Sequence, residues 1–253
     1  MRVAAAGLTC LTAAFAAGAA SAGPWVQPAG QGQIIVKYEN MGAEGGFDPA
    51  GDLADLPAER RDRSIGVFAE YGLTDRLTLQ VKGDWQQGED AFVDYDGRGP
   101  LEIGLTWQVW RDEVSAISLY GGYADGGEGR NAGYAGPGIG DRDWEARLSL
   151  GRSVANGRGF VDLQAARRMR DGLPDETRAD ATAGIHLNDD WMVLGQMFGG
   201  AADDSGPRWL NVETSVVRRF GRWSVQAGWR QTVTGRETPA AVSVTGTPVA
   251  SVA

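Results

Sequence analysis

The sequence predicts an all-β protein, an antiparallel transmembrane β-barrel of about twelve strands with short periplasmic turns and long outer loops. Three observations lead to this fold. Apolar and polar residues alternate in many segments, short and long connections follow each other in turn, and aromatic residues collect near the ends of the apolar faces. Side chains alternate across a strand with period 2, so each strand has one apolar and one polar face.

The chain begins with a segment typical of secretory signal peptides. Met1 and Arg2 precede an uncharged stretch rich in Ala, Leu and Phe that ends in Ala20-Ser21-Ala22. One early positive charge, a short apolar run and an A-x-A end are the features of an export signal. We therefore expect residues 1–22 to be the signal peptide and residues 23–253 to be a barrel in the outer membrane of a Gram-negative bacterium.

Composition excludes several classes of function. Cys10 is the only cysteine and lies in the predicted signal, and His186 is the only histidine. Neither a thiolate site nor a multi-histidine metal site is expected, and no cofactor is predicted. The formal net charge of −9 disfavours a nucleic-acid partner. After the signal, no apolar run reaches the roughly 18 residues of a transmembrane helix.

Two strands are predicted from alternation over nine residues each. In residues 77–85 and 101–109, every odd position is apolar or glycine and most even positions are polar. A helix would scatter these residues around its circumference. The other strands follow from shorter stretches of the same pattern, which lie in residues 34–38, 65–71, 117–123, 144–150, 161–165, 179–187, 191–197, 210–216, 223–229 and 242–244.

The connections alternate strictly between short and long. The short ones are rich in Asn, Asp and Gly, which suit tight hairpins because they accept positive φ or bond their own backbone. They lie at residues 74–76, 111–113, 156–158, 188–190 and 221–222. Long links such as residues 41–63 and 125–143 lie between them, and the glycine-rich parts of the latter are predicted to be loop tips. Outer-membrane barrels have this asymmetry of turns and loops.

The apolar faces decide between a membrane barrel and a periplasmic soluble β protein. Tyr71, Trp107, Trp191 and Trp223 lie near short turns, and Trp85, Tyr123 and Trp144 lie near long loops. Two aromatic belts are typical of the two interfaces of a bilayer. The small residues at positions 179, 181 and 183 would fill a soluble core poorly but suit a surface in lipid. The membrane barrel is favoured, with the soluble protein as the alternative.

The beginning of the predicted barrel is similar to a known family. Residues 23–33, GPWVQPAGQGQ, and residues 70–80, EYGLTDRLTLQ, together with the strand–turn rhythm to about Thr238, resemble the meta-pathway phenol-degradation family of outer-membrane channels. The resemblance implies passage of small compounds, often apolar or aromatic, and no catalytic residues. It also implies outer-membrane lipid, the barrel-assembly machinery and a small-molecule solute as partners.

The polar faces of the strands carry the candidate functional residues. In a membrane barrel they would face the lumen, and their mixture of acidic and basic groups predicts a narrow, weakly selective pore or a closed, ion-paired interior. The predicted lumen residues are Lys37, Glu70, Lys82, Asp84, Glu102, Glu145, Arg147, Asp162, Arg178, Asp180, His186, Glu213 and Arg230. A passive channel is the favoured function, and a structural or surface-interaction barrel with a closed lumen is the alternative.

The single histidine and the acidic loop residues could indicate an enzyme or a calcium site, but we expect neither. His186 invites a hydrolase hypothesis, but no serine and orienting acid accompany it in a recognisable pattern, so we expect a lumen histidine and no enzyme. Acidic residues such as Asp48, Asp52 and Asp203 lie in predicted loops without the spacing of a calcium loop. We expect them to be solvated loop surface.

Overall fold

A computed structural model describes residues 23–91, 94–127 and 140–252; the predicted signal peptide lies outside these ranges. The strands are β1 (Gly32–Phe47), β2 (Leu53–Thr74), β3 (Leu77–Glu89), β4 (Asp94–Arg111), β5 (Ser115–Asp125), β6 (Arg142–Val154), β7 (Gly159–Arg170), β8 (Glu176–His186), β9 (Trp191–Ala202), β10 (Arg208–Phe220), β11 (Trp223–Arg236), β12 (Thr238–Pro239) and β13 (Val242–Val252). Within the described ranges, no helix has the length and hydropathy needed to cross a membrane.

Twelve long strands form a closed antiparallel barrel, as the alternation predicted. Each strand from β1 to β10 pairs with the next, β13 pairs with β11, and β1 pairs with both β2 and β13. The closing strand, predicted from the short alternation of Val242 and Val244 with Ser243 and Thr245, is therefore confirmed. β12 is a two-residue addition that pairs with Gly46 and Phe47 at the end of β1.

The polarity of the barrel is the reverse of that of a soluble protein. In β4, Ile103, Leu105 and Trp107 are 51%, 44% and 54% exposed, whereas Thr106 and Gln108 are 4% and 3% exposed. Most other strands show the same division, although the inner faces of β1 and β9 also carry buried apolar side chains such as Met41, Met192 and Leu194. A continuous apolar outer surface requires lipid rather than water around it. The soluble alternative is therefore wrong.

The short turns form as predicted, through side chains that bond the local backbone. Asn188 Oδ1 accepts hydrogen bonds from the backbone N–H groups of Asp190 and Trp191 at 3.0 and 2.9 Å. Asp112 Oδ1 accepts from Val114 and Ser115 in the same way. Asn156 adopts positive φ in the turn between β6 and β7. These turns lie at the end of the barrel where β1 begins and β13 ends.

The predicted long link over residues 41–63 is mostly strand. β1 continues to Phe47 and β2 begins at Leu53, and the turn between them is held by Asp48 Oδ1, which accepts three backbone hydrogen bonds. Beyond the membrane both faces of a strand contact water. The hydrogen-bonded strand pairing of β1 and β2 therefore continues there without any alternation of apolar and polar residues that would predict it. The link between β5 and β6 is longer, and most of its predicted loop tips lie outside the described residues.

The face assignment predicts opposite responses to a charge on the two sides of the wall. Leu148 lies at the centre of the outer face, paired with Leu119 and Ala165. Leu148→Arg should lower the free energy of unfolding in lipid by about 2–4 kcal/mol, the cost of arginine near the bilayer midplane. Gln196→Arg, at a half-buried lumen position, is the matched control and should change it little. Equal losses in a urea titration would contradict the assignment.

Candidate functional site

The lumen brings the sequence-predicted residues together. Strand register places all of them on inner faces; for example, Lys82 pairs directly with Glu102, and Glu213 with Arg230. His186 is the last residue of β8, beside the turn end of the barrel. The inner face also carries charges that the alternation did not single out, because they lie beyond the regular segments: Arg60, Asp62, Asp143, Arg170 and Glu176.

One group of lumen residues is centred on Arg168. Its guanidinium contacts Glu102 Oε2 at 2.9 Å and Glu145 Oε2 at 2.5 Å. Tyr120 donates its hydroxyl hydrogen to Glu102 at 2.8 Å, and Arg147 donates Nε–H to Glu145 at 2.9 Å. We call these five residues the Arg168 cluster. Every one of its charges has an opposite charge beside it, which is the condition for burying charges at low cost.

A second group lies on the opposite side of the lumen. Arg230 Nη2 contacts Glu213 Oε2 at 2.7 Å, and Arg230 Nη1 lies 3.7 Å from Glu39 Oε1. Lys37 Nζ contacts Glu39 Oε2 at 2.6 Å. The ring of Phe198 lies 4.5 Å from the Arg230 guanidinium carbon, within the range of a cation–π contact. β1, β9, β10 and β11 supply this Arg230 cluster, and β4 to β7 supply the Arg168 cluster.

Lys82 lies on the inner face like the cluster residues, but unlike them its side chain is exposed to solvent. In the part of the chain that the structure describes, no carboxylate oxygen lies within 4.0 Å of its amino group. Its neighbour on the same face, Asp84, accepts a hydrogen bond from Gln86 at 2.9 Å. Exposure on an inner face means that water reaches the lumen at Lys82. A solvated cation there attracts anions and repels cations.

Residues 23–31, the N-terminal segment, lie across the mouth of the lumen at the turn end. The Gln27 backbone N–H donates to Thr78 Oγ1 of β3 at 2.9 Å, and Gln108 of β4 donates to the Pro24 carbonyl at 2.8 Å. The Trp25 ring packs edge-on against Phe160 of β7, with centroids 6.4 Å apart. β7 stands six strands from β1, so the segment crosses the whole diameter of the barrel.

Glu70 connects this segment to the wall. Its carboxylate accepts hydrogen bonds from Gln27 at 3.1 Å, from Gln80 at 2.8 Å and from Gln33. Glu70 was predicted from the sequence as a lumen residue, but the position of the N-terminal segment was not predicted. Two prolines and a tryptophan directly after the predicted signal peptide are the only sequence feature that could have indicated an ordered start.

The outer end of the barrel holds a separate cavity of about 350 Å³. It lies between the tips of β1 and β2 and the short strand β12. Apolar side chains, among them Phe47, Leu56 and Pro57, form much of its wall, and Arg60 and Asp55 stand beside them. Concave apolar walls with a few polar groups are typical of small-molecule sites.

The loop carboxylates serve local structure. Asp48 holds the β1–β2 turn, and Asp203 contacts Arg167 at 2.5 Å. That guanidinium holds the pKa of the Asp203 carboxyl below its usual range. Across residues 23–91, 94–127 and 140–252, no three His, Cys, Asp or Glu side chains are grouped to hold a metal ion.

The comparisons with known proteins agree with this architecture. No family model matches the chain, and no curated protein does either. An outer membrane channel from Pseudomonas putida F1 aligns with a TM-score of 0.72 at 12% identity, over 92% of this chain and 100% of that one. The KdgM porin in complex with disordered oligogalacturonate aligns at 0.54 and 9% identity, over 86% and 98% of the two chains. The CymD monoaromatic hydrocarbon channel aligns at 0.51 and 8% identity, over 90% and 89%. The chain thus has the fold of outer-membrane channels and porins, the architecture that the resemblance implied.

Proposed function

We propose that the protein is a passive outer-membrane channel for a small, hydrated solute and has no enzymatic activity. The observation that carries this proposal is the polar inner face of a closed barrel in which a charged side chain, Lys82, is exposed. A hydrated, charge-lined lumen offers polar solutes a path that the lipid denies them. Solved structures of the same fold are channels and porins, which supports the same function.

The lumen lining favours a polar or charged solute over the apolar or aromatic compound implied by the family resemblance. Between the two clusters, a solute meets carboxylates, guanidinium groups and Lys82, and an apolar molecule would gain nothing there in exchange for their solvation. The apolar cavity at the outer rim lies beside β12 and is lined by none of the predicted lumen residues. An aromatic compound would bind there more readily than it would cross.

Planar-bilayer recording of the outer-membrane protein tests the proposal. Discrete conductance steps are expected, and protein that remains folded should migrate differently before and after heating in electrophoresis. Persistent silence from folded protein would contradict the channel. It would favour the second candidate, a structural or surface-interaction barrel with a closed lumen, which the N-terminal segment across the mouth also supports.

The charge of Lys82 should set part of the ion preference. Lys82→Gln removes an exposed lumen cation that has no described ion-pair partner. We expect the ratio of cation to anion permeability, measured from reversal potentials in a salt gradient, to rise about twofold or more because the lumen potential becomes more negative. Arg76→Gln, in an exposed turn outside the lumen, is the control for a general effect of charge. Equal shifts in both variants would remove Lys82 from the conduction path.

A further inference from the structure

The N-terminal segment begins against a buried carboxylate. A Cβ placed on Gly23 would lie 2.3 Å from Asp162 Oδ2, so the backbone of Gly23 lies against this carboxylate. Asp162 is 2% exposed and lies on the inner face of β7. It accepts a hydrogen bond from Gln164 at 3.3 Å. Within the described ranges, no lysine or arginine nitrogen lies within 4.0 Å of it.

Asp162 therefore differs from the lumen acids of the two ion-paired clusters. Glu102, Glu145 and Glu213 each have a guanidinium nitrogen within 2.9 Å. Burying a carboxylate without a cation beside it is costly, so such a group is normally paired. Besides the Gln164 amide, the backbone of Gly23 lies beside the Asp162 carboxylate.

Removal of the predicted signal would supply the missing cation. Hydrolysis of the Ala22–Gly23 peptide bond by a signal peptidase consumes one water and leaves a carboxylate on Ala22 and an amine on Gly23. That amine takes up a proton at neutral pH, because an α-amino group has an ordinary pKa of about 7.7–8.0. Rotation about the Gly23 Cα–C bond turns the nitrogen into the direction of the absent Cβ, which points at Asp162 Oδ2.

We propose that signal cleavage creates an ion pair between the Gly23 α-ammonium and Asp162, and that this pair holds the N-terminal segment across the mouth of the lumen. In the uncleaved chain the same nitrogen is an uncharged amide, so only the processed protein forms the pair. The segment's other contacts, those of Gln27 with Thr78 and of Trp25 with Phe160, involve no cation. The ion pair thus fixes the far end of the segment, at the opposite wall from β1.

Amine labelling of protein extracted from outer membranes tests the pair. Intact mass should show a chain that begins at Gly23. The mature chain has only three kinds of amine to follow, the α-amino group, Lys37 and Lys82. In a short pulse with an acetylating reagent near neutral pH, Asp162→Asn should speed labelling of Gly23 about tenfold, the effect of lowering the amine pKa by about one unit. Labelling of the two lysines should not change.

Asp180→Asn is the matched control, since Asp180 also faces the lumen and lies on the neighbouring strand β8. It should leave the labelling of Gly23 as in the wild type. Should Asp162→Asn fail to fold, the pH dependence of labelling in the wild type decides: its midpoint is expected above the ordinary α-amino range. Equal labelling rates, an ordinary midpoint, or a chain that begins at another residue would overturn the proposal. None of these measurements depends on conduction, so the ion-pair proposal and the channel proposal can be refuted separately.

Discussion

Replacing Arg168 by glutamine should lower the free energy of unfolding of the barrel by about 3–5 kcal/mol, the cost of removing one partner from a buried ion-pair network. Its positively charged guanidinium lies between the carboxylates of Glu102 and Glu145 and contacts both. The three side chains are almost completely buried. Arg147 would still contact Glu145. Glu102 would keep only the Tyr120 hydroxyl as a described hydrogen-bond donor.

The neighbouring residue provides a control of the same type. Arg167 points outward, where it contacts Asp203 and Asp175 on an exposed surface. Water and salt screen exposed pairs of this kind, so Arg167→Gln should leave the urea unfolding midpoint in lipid nearly unchanged. Arg168→Lys keeps the charge but loses the fork that meets two carboxylates, so its loss should be intermediate. Similar midpoints for Arg167→Gln and Arg168→Gln would show that the cluster contributes no stability.

The strands could be predicted because the membrane imposes a polarity pattern on them. Within the bilayer a strand must be apolar outside, and the lumen tolerates polar groups, so alternation in residues 101–109 reveals both the strand and its faces. Outside the bilayer this constraint ends. The extension of β2 across Glu59, Arg60 and Arg61 has charges on both faces, and nothing in its composition distinguishes it from a loop.

The partners within the lumen could not be predicted for a different reason. Alternation places a side chain inside the barrel but does not say which strand it faces across the lumen. Arg168 and Glu102 are 66 residues apart and come from strands that are not adjacent. Their contact depends on barrel diameter, strand tilt and rotamers together. The position of the N-terminal segment could not be predicted for the same reason, because it depends on contacts with Thr78, Gln108 and Phe160.

Deletion of residues 23–27 should raise the single-channel conductance about twofold or more, because conduction depends on the free cross-section of the narrowest part of the lumen. The deleted residues include Pro24, which is fully buried, and Trp25, which reaches β7. Pro28 to Gln31 stay in place, because the Gly30 N–H donates to the Gly72 carbonyl of β2 and the Gly72 N–H donates to the Gln31 carbonyl. The wall loses the two hydrogen bonds of Gln27, but Glu70 keeps those from Gln33 and Gln80, so we expect the barrel to keep its fold.

A bulky residue at position 151 should produce the same effect without shortening the chain. A Cβ on Gly151 would lie 2.4 Å from both Pro24 and Trp25. Gly151→Val should therefore displace the N-terminal segment from its contact with β6. Gly121→Val is the control, since Gly121 faces outward with open space around it. Larger conductance in the deletion and in Gly151→Val, with wild-type conductance in Gly121→Val, identifies the segment as the constriction. Unchanged conductance in the deletion places the narrowest point elsewhere, at the two ion-paired clusters that face each other across the lumen.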